Sequence, residues 1–378
     1  LARQLGPSGG VEHGEYVLRG CAGWGHLRRP EDVAAGLAQQ ADRVANPSRG
    51  RQHRGTAGDS SGMEIADGVF FFRGRSGERL RPGAGSVNVI VVRGAALAML
   101  DAGVTRGGAF RSLRARMRTH QLDLGEVAWL AHTHSHWDHI NASEAVRRAG
   151  AARLAAPTEE IPLIEDSGKN FRGFLSDFGP LAREVFPHPA ALARLAIWYA
   201  WGRQPRLRVD RALEDGDVLE EGRSIRAVAL PGHTTGHAGY WIPDAGVLVT
   251  GDLIDFENSQ GMDLNNPRSD FAMALCSLRR ALELKPEILI PAHGEPTVGR
   301  RPVEQVLSTA LAGALEYPDR IRAALGARTL RLGSITPAVF PEVPLSMQTM
   351  TMMLVLVVLL HMERSGQVRR TEVSGRPA

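Results

Sequence analysis

The chain has 378 residues, of which 43% are hydrophobic and 23% charged. This composition is typical of a globular protein with one large domain and an appendage. No apolar run reaches the roughly 18 residues that span a bilayer, and two cysteines exclude a disulfide framework. The net charge of +4 and pI near 9.5 are carried by arginines scattered among acids, which argues against a nucleic-acid partner. We therefore expect a cytoplasmic protein that does not bind membranes.

Residues 1–62 differ in kind from the rest of the chain. They are rich in Gly, Arg and Ala and lack sustained strand or helix periodicity. Such a segment cannot bury enough apolar surface to offset the entropy of ordering. We interpret residues 1–62 as disordered or as a non-native extension, and we place the start of the main domain at residue 63, with its end at residue 305.

Strands are predicted from residue 86 onwards, and several of them end in polar residues. Ser86–Val92 and Ala95–Leu100 form an apolar pair that ends at Asp101. The next apolar run, Val127–Ala131, leads directly into residues 132–139, which contain four histidines and one aspartate. Histidine is the commonest protein ligand for zinc and related metals. A loop that leaves the end of a rigid strand can hold such ligands in place, so this cluster predicts a metal site.

Three later segments repeat the pattern of a strand followed by a polar residue. Ser224–Leu230 runs into Pro231–His237, Gly246–Gly251 ends at Asp252, and Glu287–Ala292 ends at His293. Seven of the 13 histidines fall in just three of the segments that carry this pattern. Alone, a histidine at a strand end is usually an ordinary polar residue, and an aspartate after glycine is usually a turn former. The ordered set favours a metal site.

Read as His-x-His-x-Asp-His, the cluster contains His134, His136, Asp138 and His139, with Thr133 ahead of them. This pattern, together with the later segments, resembles the metallo-β-lactamase superfamily and, within it, glyoxalase II-like hydrolases. The resemblance covers roughly residues 64–300. It implies an α/β (α+β) fold: a four-layer αββα sandwich with the site at one edge of the sheets. The family's usual Gly-Gly after the signature is Asn141-Ala142 here.

The resemblance also implies the ligands of two adjacent metal ions. The first ion would be bound by His134, His136 and His233, and the second by Asp138, His139 and His293. Asp252 would bridge the two ions, and Asp101 would support a ligand imidazole. His132 and His237 match no ligand position and are expected to support the site or the core. Two zinc ions are the expected cofactors, although the same ligands accept iron or manganese.

The implied reaction is hydrolysis by a hydroxide held between two zinc ions, with Asp138 orienting the hydroxide and moving its proton. The leading hypothesis is a hydrolase that cleaves an ester, thioester or lactone of a small apolar acyl substrate. One alternative is a nuclease of the same fold acting on RNA or DNA, and another is iron-dependent oxygen or persulfide chemistry. A non-catalytic binding module would leave the complete ligand set without a purpose.

Two regions modify this core. Residues 160–208 exceed the connection that the fold needs and are interpreted as a helical insertion rich in aromatic side chains. Those predicted to contact substrate are Phe171, Phe174, Trp198, Tyr199 and Trp201. They either form a small core of their own or supply an apolar wall to the substrate site. Residues 306–378 are predicted to form a helical, winged-helix-like region, with a helix and a short hairpin over 346–370. Such a region completes the fold or supports a homodimer.

Overall fold

Two β-sheets lie face to face at the centre of the fold. The computed structural model describes residues 62–74, 87–166, 168–169, 176, 185–186, 206–219, 222–255, 261–266, 268–343 and 348–371. The predictions for residues 1–61 and for Phe171, Phe174, Trp198, Tyr199 and Trp201 lie outside this part of the chain.

The first sheet has seven strands among the described residues, in the order β1 to β7. They are β1 (Met63–Ala66), β2 (Val69–Phe72), β3 (Val89–Arg93), β4 (Leu97–Leu100), β5 (Val127–Ala131), β6 (Arg153–Pro157) and β7 (Arg211–Leu213). Strands β1 to β4 pair antiparallel, and β4 to β7 pair parallel. The carboxyl ends of β4, β5 and β6 therefore meet at one edge of this sheet.

The second sheet has six strands in the described part of the chain, in the order β15-β14-β11-β10-β9-β8. They are β8 (Val218–Leu219), β9 (Ile225–Ala229), β10 (Ala238–Ile242), β11 (Val247–Gly251), β14 (Ile288–Pro291) and β15 (Thr297–Val298). A separate hairpin joins β12 (Ile254–Asp255) to β13 (Gly261–Met262). Strands β11 and β14 are parallel, and β9 runs in the same direction because β10 is antiparallel to both β9 and β11.

Helices cover the outer faces of both sheets. They are α1 (Ala109–Thr119), α2 (Trp137–Ile140), α3 (Ser143–Ala149), α4 (Ile161–Glu165), α5 (Phe271–Glu283), α6 (Arg300–Leu325), α7 (Leu332–Val339) and α8 (Gln348–Arg364). Asp270 precedes helix α5, and its side chain accepts a hydrogen bond from the Met273 backbone N–H. This is a helix cap of the usual kind.

Alternating side chains divide the apolar interior into three layers. In β2, Phe70 and Phe72 pack with α1 and α3, while Val69 and Phe71 pack between the two sheets. In β11, Leu248 faces α5 to α8, while Val247 and Val249 face the first sheet. Successive residues of a strand point to opposite faces, so these runs require cover on both sides. The result is the predicted four-layer αββα sandwich.

The C-terminal region is helical, as predicted, and shares a core with the second sheet. Helix α6 runs without a break through residues 305 and 306, so the predicted domain boundary falls inside this helix. Helix α8 buries most of Met353–Val358 in the same core. Residues 365–371 form no strand, so the predicted hairpin is not found in this described stretch. No described helix is long and apolar enough to cross a membrane.

Candidate metal centre

The predicted ligands lie together because the strands that precede them end at the same edge of the two sheets. In the first sheet, β4 leads to Asp101 and β5 leads to residues 132–139. In the second sheet, β9 leads to the loop at residues 231–237, β11 leads to Asp252, and β14 leads to His293. Open α/β sheets carry sites at the carboxyl ends of their strands for the same geometric reason.

A first group contains His134, His136, His233 and Asp252, whose ligand atoms all lie within 4.8 Å of one another. Nε2 of His134 is 3.6 Å from Oδ2 of Asp252, and Nε2 of His233 is 3.4 Å from the same oxygen. Nδ1 of His136 lies 2.9 Å from Nε2 of His233. Three imidazoles thus converge on one carboxylate.

A second group contains Asp138, His139 and His293, with the same spacing limit of 4.8 Å. Nε2 of His293 is 3.7 Å from Oδ2 of Asp138 and 3.6 Å from Oδ1 of Asp252. Nε2 of His139 is 3.3 Å from Oδ2 of Asp252. Asp252 therefore touches both groups, which is the arrangement expected of a bridging carboxylate. The side chains of Asp138 and His293 are 16% and 13% exposed, and His136 of the first group is also partly exposed, so solvent reaches the site past these three residues.

Asp101 contacts the imidazole of His139 on the side of the ring that faces away from Asp252. Its Oδ2 lies 2.8 Å from Nδ1 of His139, which leaves Nε2 of that ring facing Asp252. It also accepts hydrogen bonds from the backbone N–H and the hydroxyl of Thr133, and that hydroxyl is 3.0 Å from Nδ1 of His134. Asp101 adopts a φ of 56°, a left-handed conformation that aspartate tolerates better than most residues. These contacts place Asp101 against the rings of His139 and, through Thr133, His134; its role in supporting a ligand ring stays a prediction.

His237 and His132, which match no ligand position, are both buried beside the site. Nδ1 of His237 is 2.9 Å from the carbonyl of Leu230, and Nε2 accepts a hydrogen bond from the Asp252 backbone N–H. The Cβ of any residue larger than Gly251 would lie 2.5 Å from that Nε2, so a glycine is required before Asp252. His132 lies 3.0 Å from the Ser143 hydroxyl through its own Nε2. Neither histidine belongs to a group of candidate ligands among the described residues, and their supporting role stays a prediction.

Two supporting residues were missed by sequence reasoning. Glu160, only 1% exposed, accepts hydrogen bonds from both loops that carry the first group. Asn88 donates to the carbonyls of Pro291 and Gly294, on either side of His293. The position of Glu160 in the sequence could have revealed it. Glu160 follows the end of β6, and because β6 is parallel to β5, both strands end at the edge where the ligands lie.

Burial and neighbouring charges set the protonation of the first group. Burial, reinforced by neighbouring histidines, lowers the pKa of His134 and His136 well below the ordinary value. Burial also lowers the pKa of His233. Neutral imidazole is the form that binds a metal, so these shifts favour ligation near pH 7.

The pKa values of His139, Asp252 and Asp138 are shifted in different directions. Burial alone would lower the pKa of His139, but the charges of Asp101 and Asp252 raise it well above the ordinary value. Burial would raise the pKa of Asp252, yet His139 and His293 hold it well below its usual range. Burial raises the pKa of Asp138, which makes that carboxyl group a better proton acceptor.

The donor set fits divalent metal ions. Nε2 of His134, Nε2 of His139 and Oδ1 of Asp252 are buried and have no hydrogen-bond partner among the described residues. Buried polar atoms are ordinarily satisfied, and each orphan costs free energy. Metal ions at this position would satisfy all three atoms. Imidazole nitrogens and carboxylate oxygens are ligands that zinc shares with other divalent metals.

Comparison with known proteins identifies the family. Residues 82–293 match the metallo-beta-lactamase superfamily. A probable metallo-hydrolase of Bacillus subtilis, YqjP, is 22% identical over 266 residues, which cover 68% of this chain and 82% of that protein. A hydroxyacylglutathione hydrolase of Acidiphilium cryptum is 30% identical over 210 residues, which cover 54% of this chain and 67% of that protein. Because the family match spans more than half of the sequence, the chain belongs to the metallo-beta-lactamase superfamily.

Solved structures confirm the fold over most of the chain. The metallo-beta-lactamase family protein TTHA1429 of Thermus thermophilus has a TM-score of 0.63 at 22% identity, covering 82% of this chain and 97% of that one. A beta-lactamase domain protein of Burkholderia ambifaria has the same TM-score of 0.63 at 20% identity, covering 85% of this chain and 94% of that one. At this identity the likeness concerns the fold alone.

Proposed function

We propose that this protein is a dinuclear metal-dependent hydrolase, with zinc as its native metal, that cleaves an ester, thioester or lactone of a small apolar acyl substrate. The observation that carries the proposal is the convergence of seven ligand-type side chains in two groups around one carboxylate, Asp252. Superfamily membership supports hydrolysis in general. The name of the Acidiphilium cryptum relative, hydroxyacylglutathione hydrolase, supports an acyl substrate.

Each part of the site would have a distinct task. His134, His136 and His233 would hold one ion, Asp138, His139 and His293 the other, and Asp252 would contact both. Bound divalent ions supply an activated water and polarise the substrate carbonyl. Asp138 would accept the proton that this water loses at a carboxylate oxygen, because its raised pKa makes that oxygen more basic than an exposed one. The same group could return the proton to the leaving atom.

The exposed side of the site would admit the substrate. Asp138 and His293 of the second group and His136 of the first group are partly exposed, whereas His134 and His139 are fully buried. A substrate would therefore reach the site past these three residues, two of which belong to the second group. The aromatic residues predicted to form an apolar wall would then favour acyl chains over polyanions, since burial contributes about 25 cal/mol per Å².

The test is a panel of three substrates that share one acyl group: a nitrophenyl ester, a thiol ester and a lactone. The protein is stripped of metal, reloaded with Zn²⁺ and assayed on each substrate. We expect zinc-dependent turnover of at least one of them, and loss of that turnover in Asp252→Ala. Glu159→Gln, at an exposed residue, is the control and should behave as wild type. Loaded protein that hydrolyses none of the three would contradict the proposal.

The acyl preference has its own test. Trp198→Ala should raise KM for a long-chain acyl substrate far more than for the matching acetyl substrate, with zinc content unchanged. The reason is that truncating an apolar wall removes burial only from a group that reaches it. Equal changes in KM for both substrates would mean that Trp198 packs within the insertion and does not select the substrate.

A further inference from the structure

Glu160 is a buried carboxylate beside the metal centre to which no ligand role is assigned. It ends the 3-10 helix Thr158–Glu160, directly after strand β6. Its side chain is buried, with the residue only 1% exposed. Burying a carboxylate is costly unless its oxygens are hydrogen-bonded. The contacts that satisfy Glu160 therefore indicate why the residue is present.

Those contacts come from the two loops that carry the first group of ligands. Oε2 accepts a hydrogen bond from the Ser135 backbone N–H at 2.9 Å, between His134 and His136. Oε1 accepts one from the Thr234 hydroxyl at 2.6 Å and one from the Gly236 backbone N–H at 3.2 Å. Ser135 belongs to a loop of the first sheet, and the other two donors belong to a loop of the second sheet.

The fit between Glu160 and the second loop is close. A Cβ placed on Gly236 would lie 3.0 Å from Oε1 of Glu160 and 2.7 Å from Cβ of Glu159. The loop can approach the carboxylate this closely because residue 236 is a glycine. His233 lies in this loop, next to Thr234, so its position depends on where the loop is held.

We propose that Glu160 is a positioning residue for the first metal. It joins the His134–His136 loop to the His233 loop and so sets the spacing of three imidazoles that come from two different sheets. This inference rests on the proposed metal-dependent function. Glu160 acts through the loops, because it is not among the groups of side chains that could hold an ion.

The chemistry of the contact requires a carboxylate. Three donors point at its two oxygens, and a carboxylate accepts at both. Glutamine has the same shape but only one accepting oxygen. If that oxygen keeps the bonds to Thr234 and Gly236, the amide NH₂ faces the Ser135 N–H, and two donors oppose each other. The loop between His134 and His136 then loses its anchor.

The experiment titrates metal-free Glu160→Gln and wild type with Co²⁺ alone. Binding is followed by calorimetry and by the visible absorption that Co²⁺ acquires from its ligands. Partners behind metal ligands typically contribute 10- to 100-fold in affinity. We expect the affinity of the first site to fall by about 10- to 100-fold with an altered Co²⁺ spectrum, while the second site is unchanged. Glu159→Gln, the exposed neighbour, should match wild type in both measurements.

A milder variant covers the case in which Glu160→Gln does not fold. Thr234→Val removes one of the three donors and keeps the carboxylate. It should weaken the first site in the same direction by a smaller factor, whereas Thr234→Ser, which keeps the hydroxyl, should restore wild-type affinity.

The outcomes separate the two proposals. If wild type binds two ions and the Glu160 and Thr234 variants bind both with wild-type affinity and spectrum, Glu160 only contributes to packing, and this inference is overturned while the proposed function stands. Equal weakening of both sites would also overturn it. Wild type that binds no Co²⁺ would overturn the proposed function itself.

Discussion

The two groups of ligand-type residues differ in how they are enclosed. The first group is held from both sheets: Glu160 joins its two loops, and the carbonyl of His233 accepts hydrogen bonds from Asn266 and Ser269. The second group relies on Asp101 and Asn88, and two of its three members are partly exposed, against His136 alone among the four members of the first group. The two halves of one site therefore differ in how firmly they are held and in how easily solvent reaches them. The first half is the more enclosed, and the second is the more open to substrate and proton exchange.

The largest effects should follow from removing one ligand in each half. His134→Ala should abolish binding of the first ion, with a loss of at least about 100-fold, since even supporting partners contribute 10- to 100-fold. His293→Ala should weaken the second ion alone. Metal content after dialysis, together with titration of the metal-free variants, checks both results. If His293→Ala lost both ions, the two halves would not be independent.

A second test concerns the proton-handling task given to the open half. Asp138→Asn should lower kcat by about 100-fold, the usual size of general acid–base catalysis, while part of the metal is retained. The amide oxygen can still contact a metal, but it cannot take a proton near neutral pH. Steady-state kinetics on metal-loaded protein, with metal content measured in the same sample, gives the answer. Full activity would remove Asp138 from the mechanism.

The smallest effect concerns pH and the enclosed half of metal-free protein. Burial and the neighbouring His233 lower the pKa of His237 to about 4, whereas a histidine in the unfolded chain has a pKa near 6.5. Between these values the unfolded chain binds a proton that the folded protein does not. The contribution of His237 to the free energy of unfolding should therefore fall by roughly 3 kcal/mol as the pH is lowered from about 6.5 to 4.

Other groups act in both directions over this range. The pKa values of His134 and His136 are also lowered, so they act in the same direction as His237. Burial raises the pKa values of Asp138 and Asp263, so these two carboxyl groups act in the opposite direction. The pKa of His139 is raised, so its stabilising contribution is already complete below pH 6.5. Denaturant unfolding of wild type and His237→Gln at several pH values checks the prediction. The variant should show a shallower slope, and equal slopes would show that His237 does not titrate as described.

The sequence predicted six of the strands, β3, β4, β5, β9, β11 and β14, because an apolar run is a local pattern. No strand was predicted for β1, β2, β6 or β10. Runs such as Val127–Ala131 form the expected strands, and the residues that follow them lie at one edge. Glu160 and Asn88 could not be found in this way. Their partners lie 25 to 76 residues away in one case and more than 200 in the other. The Ser135 contact forms between neighbouring strand ends of the first sheet, and the contacts to Thr234, Gly236, Pro291 and Gly294 form only when the two sheets pack together.

The most direct test of the central claim is the number of metal ions bound by the wild-type protein. The protein is freed of metal, reloaded with excess Zn²⁺ and passed through a desalting column without chelator, and its metal content is measured by elemental analysis. If each half of the site binds one ion, we expect close to two ions per chain. The ion of the more open half should be removed first as a weak chelator is added. One ion or none, or two ions that leave together, would contradict the division of this site into an enclosed half and an open half.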